Sequence, residues 1–443
     1  MAEYKPILLS LPSLTPSLAV EVLPHGMTIH RIYVQADGKT HDIVIGPEAP
    51  EDHSVVKYTN TIIGRYANRV PVGTHTVEKD GITSQFTAIT NESPQVSLHG
   101  GPKGFDFGIW ERLSSSTDVT LFTPAELKSI STKSPGDSSW GIFRLVSEDG
   151  DQGYSGTLLM EVLIALLSPE EGRASGAERP LGSIVIVYRA KLQDSPDGSK
   201  QVTPINLTQH WGFNLDASLQ EGEETLSVLN HKMDMKASHV AELLPNFLPS
   251  GKYDAVAGAD NSSGAHLHLN KRIGDQFPGI GYDHYYLLSQ PGDSPHRIPV
   301  SKFTPDLDEV TNILNQKRSE PVVQLSSEKS GLAVEFDTNR KDLRIDTWFE
   351  LDLTYLTLEA GLMFYTNNHA NTKGYRKKIH GGSGVKGDGY IAGSAAFIEF
   401  HEPLSAFLYP TSNSTDTLLA SGEVYNNFVR ADVLLRQVEH TGA

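Results

Sequence analysis

Short apolar or alternating runs, each closed by turn residues, recur along this chain and restrict it to folds built from many strands. Residues 27–34, 181–188 and 343–349 are examples, rich in Val, Ile, Tyr, Thr and Phe. The 39 Gly and 25 Pro supply the turns between them. Helical signals are few; residues 305–314, within 301–317, read as one short helix. No composition break marks a second domain, so the 443 residues read as one all-β domain spanning 1–443. Two stretches look like loop insertions. Residues 168–180 are charged and Gly/Ala-rich. Residues 368–389 carry Lys373, Arg376, Lys377, Lys378 and Lys386, and read either as a solvated loop or as a lid over a nearby site.

Charge and cysteine content narrow the function. Lys and Arg number 37 against 54 Asp and Glu, a formal charge of −17. That excess disfavours nucleic acid and anionic membrane as partners, since both need basic surface. There are no cysteines, which removes disulfides, thiolate catalysis and Cys-ligated zinc. The first 24 residues lack a basic start followed by a long apolar run, and no 18-residue apolar stretch occurs, so the expected location is the cytoplasm. Asn91, Asn206, Asn261 and Asn413 stand in glycosylation-type triplets, read here as chance.

Four strand-like segments each hold a reactive side chain: His99 before Gly100-Gly101, His210 within residues 206–215, Asp283 before His284, and Glu399 in Phe397-Ile398-Glu399-Phe400. Two imidazoles and two carboxylates suffice to move protons onto and off sugar oxygens. Two carboxylates alone suggest glycoside hydrolysis; a histidine paired with a glutamate suggests opening a hemiacetal ring. Glu399 is costly to bury unpaired, which favours a raised pKa and a base role. Glu402 competes for that role, although it should point away from the Glu399 face. Arg69 is either a surface residue or a hydroxyl donor, and Trp211 either stacks on a sugar or fills core. His380 precedes two glycines as His99 does but lacks the residues that follow it. His266-Leu267-His268 has metal-ligand spacing without the carboxylate such a site needs, so no metal site is expected.

These residues fall within motifs that occur in order along the chain. They are Gly64-Arg65-Tyr66-Ala67-Asn68-Arg69-Val70, Leu98-His99-Gly100-Gly101-Pro102-Lys103-Gly104-Phe105-Asp106 with Trp110, Ser147-Glu148-Asp149-Gly150-Asp151-Gln152-Gly153-Tyr154-Ser155-Gly156, the His210 segment, Asp283-His284, Tyr365-Thr366-Asn367-Asn368, and Glu399. In this the chain resembles the aldose 1-epimerase (galactose mutarotase) family. Gln209, Trp211-Gly212 and Asn367 depart from the family pattern and bear on sugar preference more than on chemistry. The resemblance implies a large antiparallel β-sandwich with few short helices and a carbohydrate cleft. It implies an isomerase acting on free aldohexoses such as glucose or galactose, without a cofactor, as monomer or homodimer. Glu399 and His210 would be catalytic, base and acid respectively. His99, Asp283, Arg69 and Trp211 would hold the sugar. On this reading a nearby carboxylate, Asp283 or Glu399, raises the His210 pKa. The alternatives are a hexose-6-phosphate 1-epimerase and a non-catalytic sugar-binding protein of the same fold.

Overall fold

In the computed structural model the apolar run at 181–188 lies inside the strand Glu178–Leu192, and its side chains alternate between two different cores. Ile184, Ile186 and Tyr188 enter the main core. Val185 and Val187 enter a second one. A strand buried on both faces reads as continuously apolar for this reason. The structure describes residues 1–136, 138–169, 178–257, 264–288, 296–315, 321–338, 361–409 and 416–437. The run at 343–349, Asn261 and Asn413 lie outside them, as do residues 170–177 of the 168–180 insertion. The end of that insertion is strand rather than loop, because Glu178–Leu192 already pairs with Glu423–Arg436 from its first residue.

Three large antiparallel sheets organise the described residues. Ten strands form the largest, with Leu158–Leu167, Glu178–Leu192, Glu423–Arg436 and Leu332–Thr338 adjacent at its centre. Six form a second sheet in the order Gly212–Phe213, Ala396–His401, Gly361–Tyr365, Asp283–Leu288, Ala237–Leu243, Pro249–Ala255. Four more, Ile7–Ser10 to Lys39–Asp42, form an N-terminal sheet. The two larger sheets pack face to face. Phe336 of the first lies 5.3 Å from Phe213 and 5.6 Å from Phe400 of the second, ring centre to ring centre, the sandwich contact expected of such sheets.

The outer face of the ten-stranded sheet is covered by two helices. Val310–Asn315 is the C-terminal part of the helix read at 305–314. Pro124–Lys133 was not anticipated. Thr123 caps it, the Glu126 side chain returns to the Thr123 N–H, and Pro124 occupies the first turn, so its start is written in four consecutive residues. Ile130, Ile313 and Leu314 meet Leu163 and Val185 there. No helix among the described residues is long and apolar enough to cross a membrane.

The 368–389 segment is not a freely solvated loop through its middle. Lys377 is fully buried, and its Nζ donates to Asp42 Oδ2 at 2.7 Å, His30 O at 2.6 Å and Val44 O at 2.8 Å. His380 is buried beside it, between the Asp42 carbonyl and the Tyr390 hydroxyl. The segment is thereby stapled to the N-terminal sheet. Removing one member of a buried ion pair strands the other, at a cost of about 3–5 kcal/mol. Lys377→Met should therefore lose about that much unfolding free energy in urea titrations. Lys386→Met, at an exposed position of the same segment, should stay within about 0.5 kcal/mol of the parent. Equal effects would mean that Lys377 is not the staple.

Candidate active site

One strand sets the position of the site. In Ala396–His401 the pleat turns Ile398 and Phe400 into the main core and leaves Phe397 and Glu399 on the opposite face. Register then aligns neighbours on that face: Glu399 opposite Met363, Phe397 opposite Tyr365, and Tyr365 opposite Asp283. Loops from residues 57–69 and 91–99 close over this face and enclose a cavity of about 320 Å³, at the small end of the range for ligand pockets. Among its lining residues are Glu399, His210, His99, Asp283 and Arg69. Four separated segments and the Arg69 motif thus converge on one space.

His210 lies between the short strands Thr208–Gln209 and Gly212–Phe213, where the chain passes from pairing with Ile62–Ile63 to pairing with Phe397. Its backbone N–H donates to Thr61 O and its carbonyl accepts from Asn60 N–H. Alternation then sends His210 into the cavity and Trp211 into the core. Trp211 is fully buried, 5.2 Å from Phe213, with its indole N–H donated to Ile398 O. Trp211 is therefore a core residue and does not reach the cavity. On that wall the aromatic surface is Phe397, 4.8 Å from the His210 ring.

His99 occupies a turn at φ 52°, followed by Gly100 at φ 84°. A Cβ on Gly100 would lie 2.0 Å from Gly64 O, so the glycine permits close approach of the 64–65 backbone rather than of a ligand. The Asn68 N–H donates to His99 Nδ1 at 3.2 Å. That leaves the proton of the neutral ring on Nε2, as a donor. Tyr58, Asn68, His99 and Asn367 all line the cavity and all have left-handed backbones, with φ between 52° and 66°. Such conformations cost free energy for non-glycine residues, and they cluster where surrounding packing fixes a ligand site.

Arg69 joins the acidic side chains. Its guanidinium donates to Glu92 at 2.9 Å and to Asp283 Oδ2 at 3.2 Å. Glu92, in the turn-like Asn91-Glu92-Ser93-Pro94, was missed, and no spacing in the sequence marks it. Tyr58, Asn68 and His369 also line the cavity without having been singled out. Arg65 and Ser147–Ser155, from two of the ordered motifs, turn out to be structural: the Arg65 guanidinium donates to Ser147 Oγ at 2.8 Å and Ser155 O at 2.8 Å. Asn91 spends its side chain on Leu98, and Asn206 is fully buried. Glu402 points elsewhere, paired with Arg297 at 3.2 Å.

The central contact is His210 Nε2 to Glu399 Oε1, at 3.1 Å. Both side chains are buried, and His210 Nδ1 and Glu399 Oε2 have no hydrogen-bond partner among the described residues. Burial pushes the Glu399 carboxyl well above its usual range; Asp283 adds to the rise and Arg69 opposes it. Burial also lowers His210 to about 4, with His401 contributing in the same direction. The expectation that a carboxylate raises the His210 pKa is thus reversed by desolvation. Burial thus disfavours the charged form of each partner of the contact. His99 is likewise driven well below its ordinary value, by burial first and then by His210 and Arg69.

His99, His210 and Glu399 bring ligand-type atoms within 4.8 Å of one another. The donor set suits a metal poorly. His99 has one lone pair, and the Asn68 N–H occupies it. His266 and His268 belong to an aromatic cluster instead, His266 Nδ1 lying 2.8 Å from the Tyr286 hydroxyl and His268 packing on Tyr282 and Phe364.

No family model matches the chain. In sequence it is similar to galactose mutarotase from Bos taurus, 29% identical over 273 residues, which covers 61% of this chain and 64% of that protein. It is also similar to aldose 1-epimerase from Escherichia coli K12, 29% identical over 262 residues, covering 58% and 61%. The chain spans just under two thirds of the length of the curated relatives it matches. In fold it is similar to an aldose epimerase homologue from C. elegans, with a TM-score of 0.64, 18% identity and coverage of 98% and 99%. Galactose 1-epimerase from Lactobacillus acidophilus gives a TM-score of 0.60, 17% identity and coverage of 97% and 98%. The resemblance read from the ordered motifs is therefore matched by named relatives, and the sandwich by solved structures.

The electrostatics can be checked without any assay of turnover. Asp283 raises the Glu399 pKa and Arg69 lowers it. Asp283→Asn should shift the Glu399 titration to lower pH, and Arg69→Met should shift it to higher pH. The carboxyl infrared band assigned by its loss in Glu399→Gln reports both. Shifts of the opposite sign, or none, would show that these two side chains do not govern the Glu399 charge.

Proposed function

We propose that this chain is an aldose 1-epimerase, an isomerase that interconverts the α and β anomers of a free aldohexose such as glucose or galactose. The observation that carries the reading is the His210–Glu399 contact of 3.1 Å within a cavity whose other polar groups suit hydroxyls. Glu399, as carboxylate, removes the proton from the anomeric hydroxyl. His210, as imidazolium, donates to the ring oxygen, and the C1–O5 bond breaks to give the open-chain aldehyde. Rotation about C1–C2 presents the other face of the carbonyl. The ring closes as O5 attacks C1, O5 returning its proton to His210 and Glu399 reprotonating O1.

The cycle needs one exchangeable proton on the buried pair. Imidazolium with carboxylate is one proton-transfer isomer of imidazole with carboxylic acid, and the groups already touch. A sugar bound beside Arg69 would favour the charged isomer, since that guanidinium stabilises the Glu399 carboxylate. His99 Nε2–H, Arg69 and Asp283 are the proposed hydroxyl partners. No net oxidation or reduction occurs, so the reading requires no redox cofactor. The hexose-6-phosphate alternative needs a free cationic clamp. Lys377 is spent on Asp42 and Arg376 on Asp388. A pure binding protein would have no need of a touching acid and base.

The direct test is polarimetry of freshly dissolved α-glucose and α-galactose. Glu399→Gln should lower the catalysed rate by about 10²- to 10⁴-fold, the range for losing a general base. Near-parental rates in that variant would remove Glu399 from the mechanism.

The pH profile of kcat/KM should be bell-shaped, with limbs that belong to the pair. Below about 4, a second proton enters the pair on His210, Glu399 can no longer be an acceptor, and the rate falls. At high pH the shared proton leaves, from a Glu399 whose value is raised, no acid remains for O5, and the rate falls again. The limb near 4 should vanish from the residual activity of His210→Gln. Its survival there would assign the acid limb to another group.

A further inference from the structure

We propose that Glu92 is a positioning residue that acts through Arg69: it holds one edge of the guanidinium so that Nη1 is left to meet the hydroxyls of the sugar. The inference rests on the epimerase reading and adds to it a residue that touches no reacting atom. Glu92 and Arg69 both line the cavity that holds His210 and Glu399. Arg69 Nε donates to Glu92 Oε2 at 2.9 Å, and Nη2 donates to Glu92 Oε1 at 3.0 Å and to Asp283 Oδ2 at 3.2 Å. Three of the five guanidinium N–H groups are thereby spent on carboxylates, and the two on Nη1 have no partner among the described residues. Both Glu92 oxygens accept from Arg69, so the part of Glu92 is to orient the guanidinium.

Glu92 is itself fixed by the backbone that carries Arg69. The strand Arg69–Pro71 pairs with Val96–Leu98, with Arg69 opposite Leu98. Beside Glu92, Asn91 Oδ1 accepts the Leu98 N–H at 2.6 Å and Asn91 Nδ2 donates to Leu98 O at 2.9 Å. The Glu92 N–H donates to Val96 O at 3.3 Å. The turn bearing Glu92 is thus tied to the residue that lies opposite Arg69 and next to His99. Asp283 reaches the guanidinium from the strand Asp283–Leu288, and the Phe247 ring centre lies 5.1 Å from it. Two carboxylates and a ring, from three separate segments, restrict the guanidinium to one placement. A two-bond fork such as that with Glu92 adds geometric specificity that a single contact lacks.

An exposed ion pair would add only about 0–1 kcal/mol of stability and nothing to the site. The Arg69 side chain is not exposed: it is 10% accessible, against 30% for Glu92. Burial opposes its charge, yet Asp283 and Glu92 outweigh burial and hold the guanidinium above its ordinary pKa. The pair also bears on the base. Arg69 draws the Glu399 pKa down, and a carboxylate on the guanidinium cancels part of that pull. Loss of the Glu92 charge therefore leaves Glu399 easier to ionise.

The test places Glu92→Ala and Glu92→Gln in the parent and in Arg69→Met, and reads polarimetric mutarotation of glucose and the infrared titration of Glu399. Glu92→Ala should lower kcat/KM roughly tenfold in the parent, equal to about 1.4 kcal/mol, chiefly by raising KM, and by less than about twofold where Arg69 is already Met. Glu92→Gln keeps an acceptor for the fork and should recover part of that loss, while its missing charge shifts the Glu399 titration to lower pH. That shift should shrink in Arg69→Met. Equal losses from Glu92→Ala in both backgrounds would show that Glu92 does not act through Arg69 and would overturn the proposal. Parental kcat/KM with an unmoved Glu399 titration would reduce the contact to a surface ion pair and overturn it as well. Absence of mutarotation in the parent would overturn the epimerase reading instead, and the Glu399 titration of Glu92→Gln would still decide whether Glu92 governs Arg69.

Discussion

The pleat of Ala396–His401 is the constraint from which the rest of the site follows. Period two leaves no choice: with Ile398 and Phe400 committed to the core around Phe336, Glu399 must face the other way. A slip of one residue in register would bury the carboxylate among aromatic rings and expose two large apolar side chains. The core therefore enforces the site. The same logic holds at His210 and Trp211, where adjacent side chains go to opposite destinations. Packing energy on one face of the sheet is converted into positional precision on the other.

Burial on the site face is the second determinant. The loops that close over Glu399 remove water from both partners of the His210 contact, and desolvation raises the Glu399 pKa and lowers that of His210. At Glu399, Arg69 acts against this trend and Asp283 with it.

The fold was legible in the sequence to the extent that periodicity governs it. Runs such as 27–34 and 181–188 are strands because β-branched and aromatic side chains fill two-sided cores, and the structure has all of the second and all but Met27 of the first within Glu178–Leu192 and Thr28–Ala36. Helix Pro124–Lys133 was also legible, in Thr123-Pro124-Ala125-Glu126, but that signal is local and was passed over amid strand-like sequence. At the site, His99, His210, Asp283 and Glu399 stood out because each interrupts an apolar or glycine-rich context. Glu92 did not, since an acid beside Ser93-Pro94 resembles any surface turn until Arg69 is folded against it. Trp211 shows the converse. Adjacency to His210 in sequence suggested adjacency in space, and strand alternation forbids it. Lys377 was hidden for a third reason. A lysine in a basic, glycine-rich segment reads as solvated, and nothing local reveals that Asp42 waits for it.

That pairing has a consequence for how the molecule is made. Asp42 and Lys377 are 335 residues apart. At about 5–20 residues per second of synthesis, roughly 20–70 s separate their emergence from a ribosome. Throughout that interval the N-terminal sheet has its aspartate but not its lysine. That lysine arrives only shortly before the strand bearing Glu399, less than thirty residues further on, is itself made. The beginning of the chain and the reactive centre are therefore completed almost together. A nascent chain cut short before Lys377 lacks both the partner of Asp42 and the Glu399 strand.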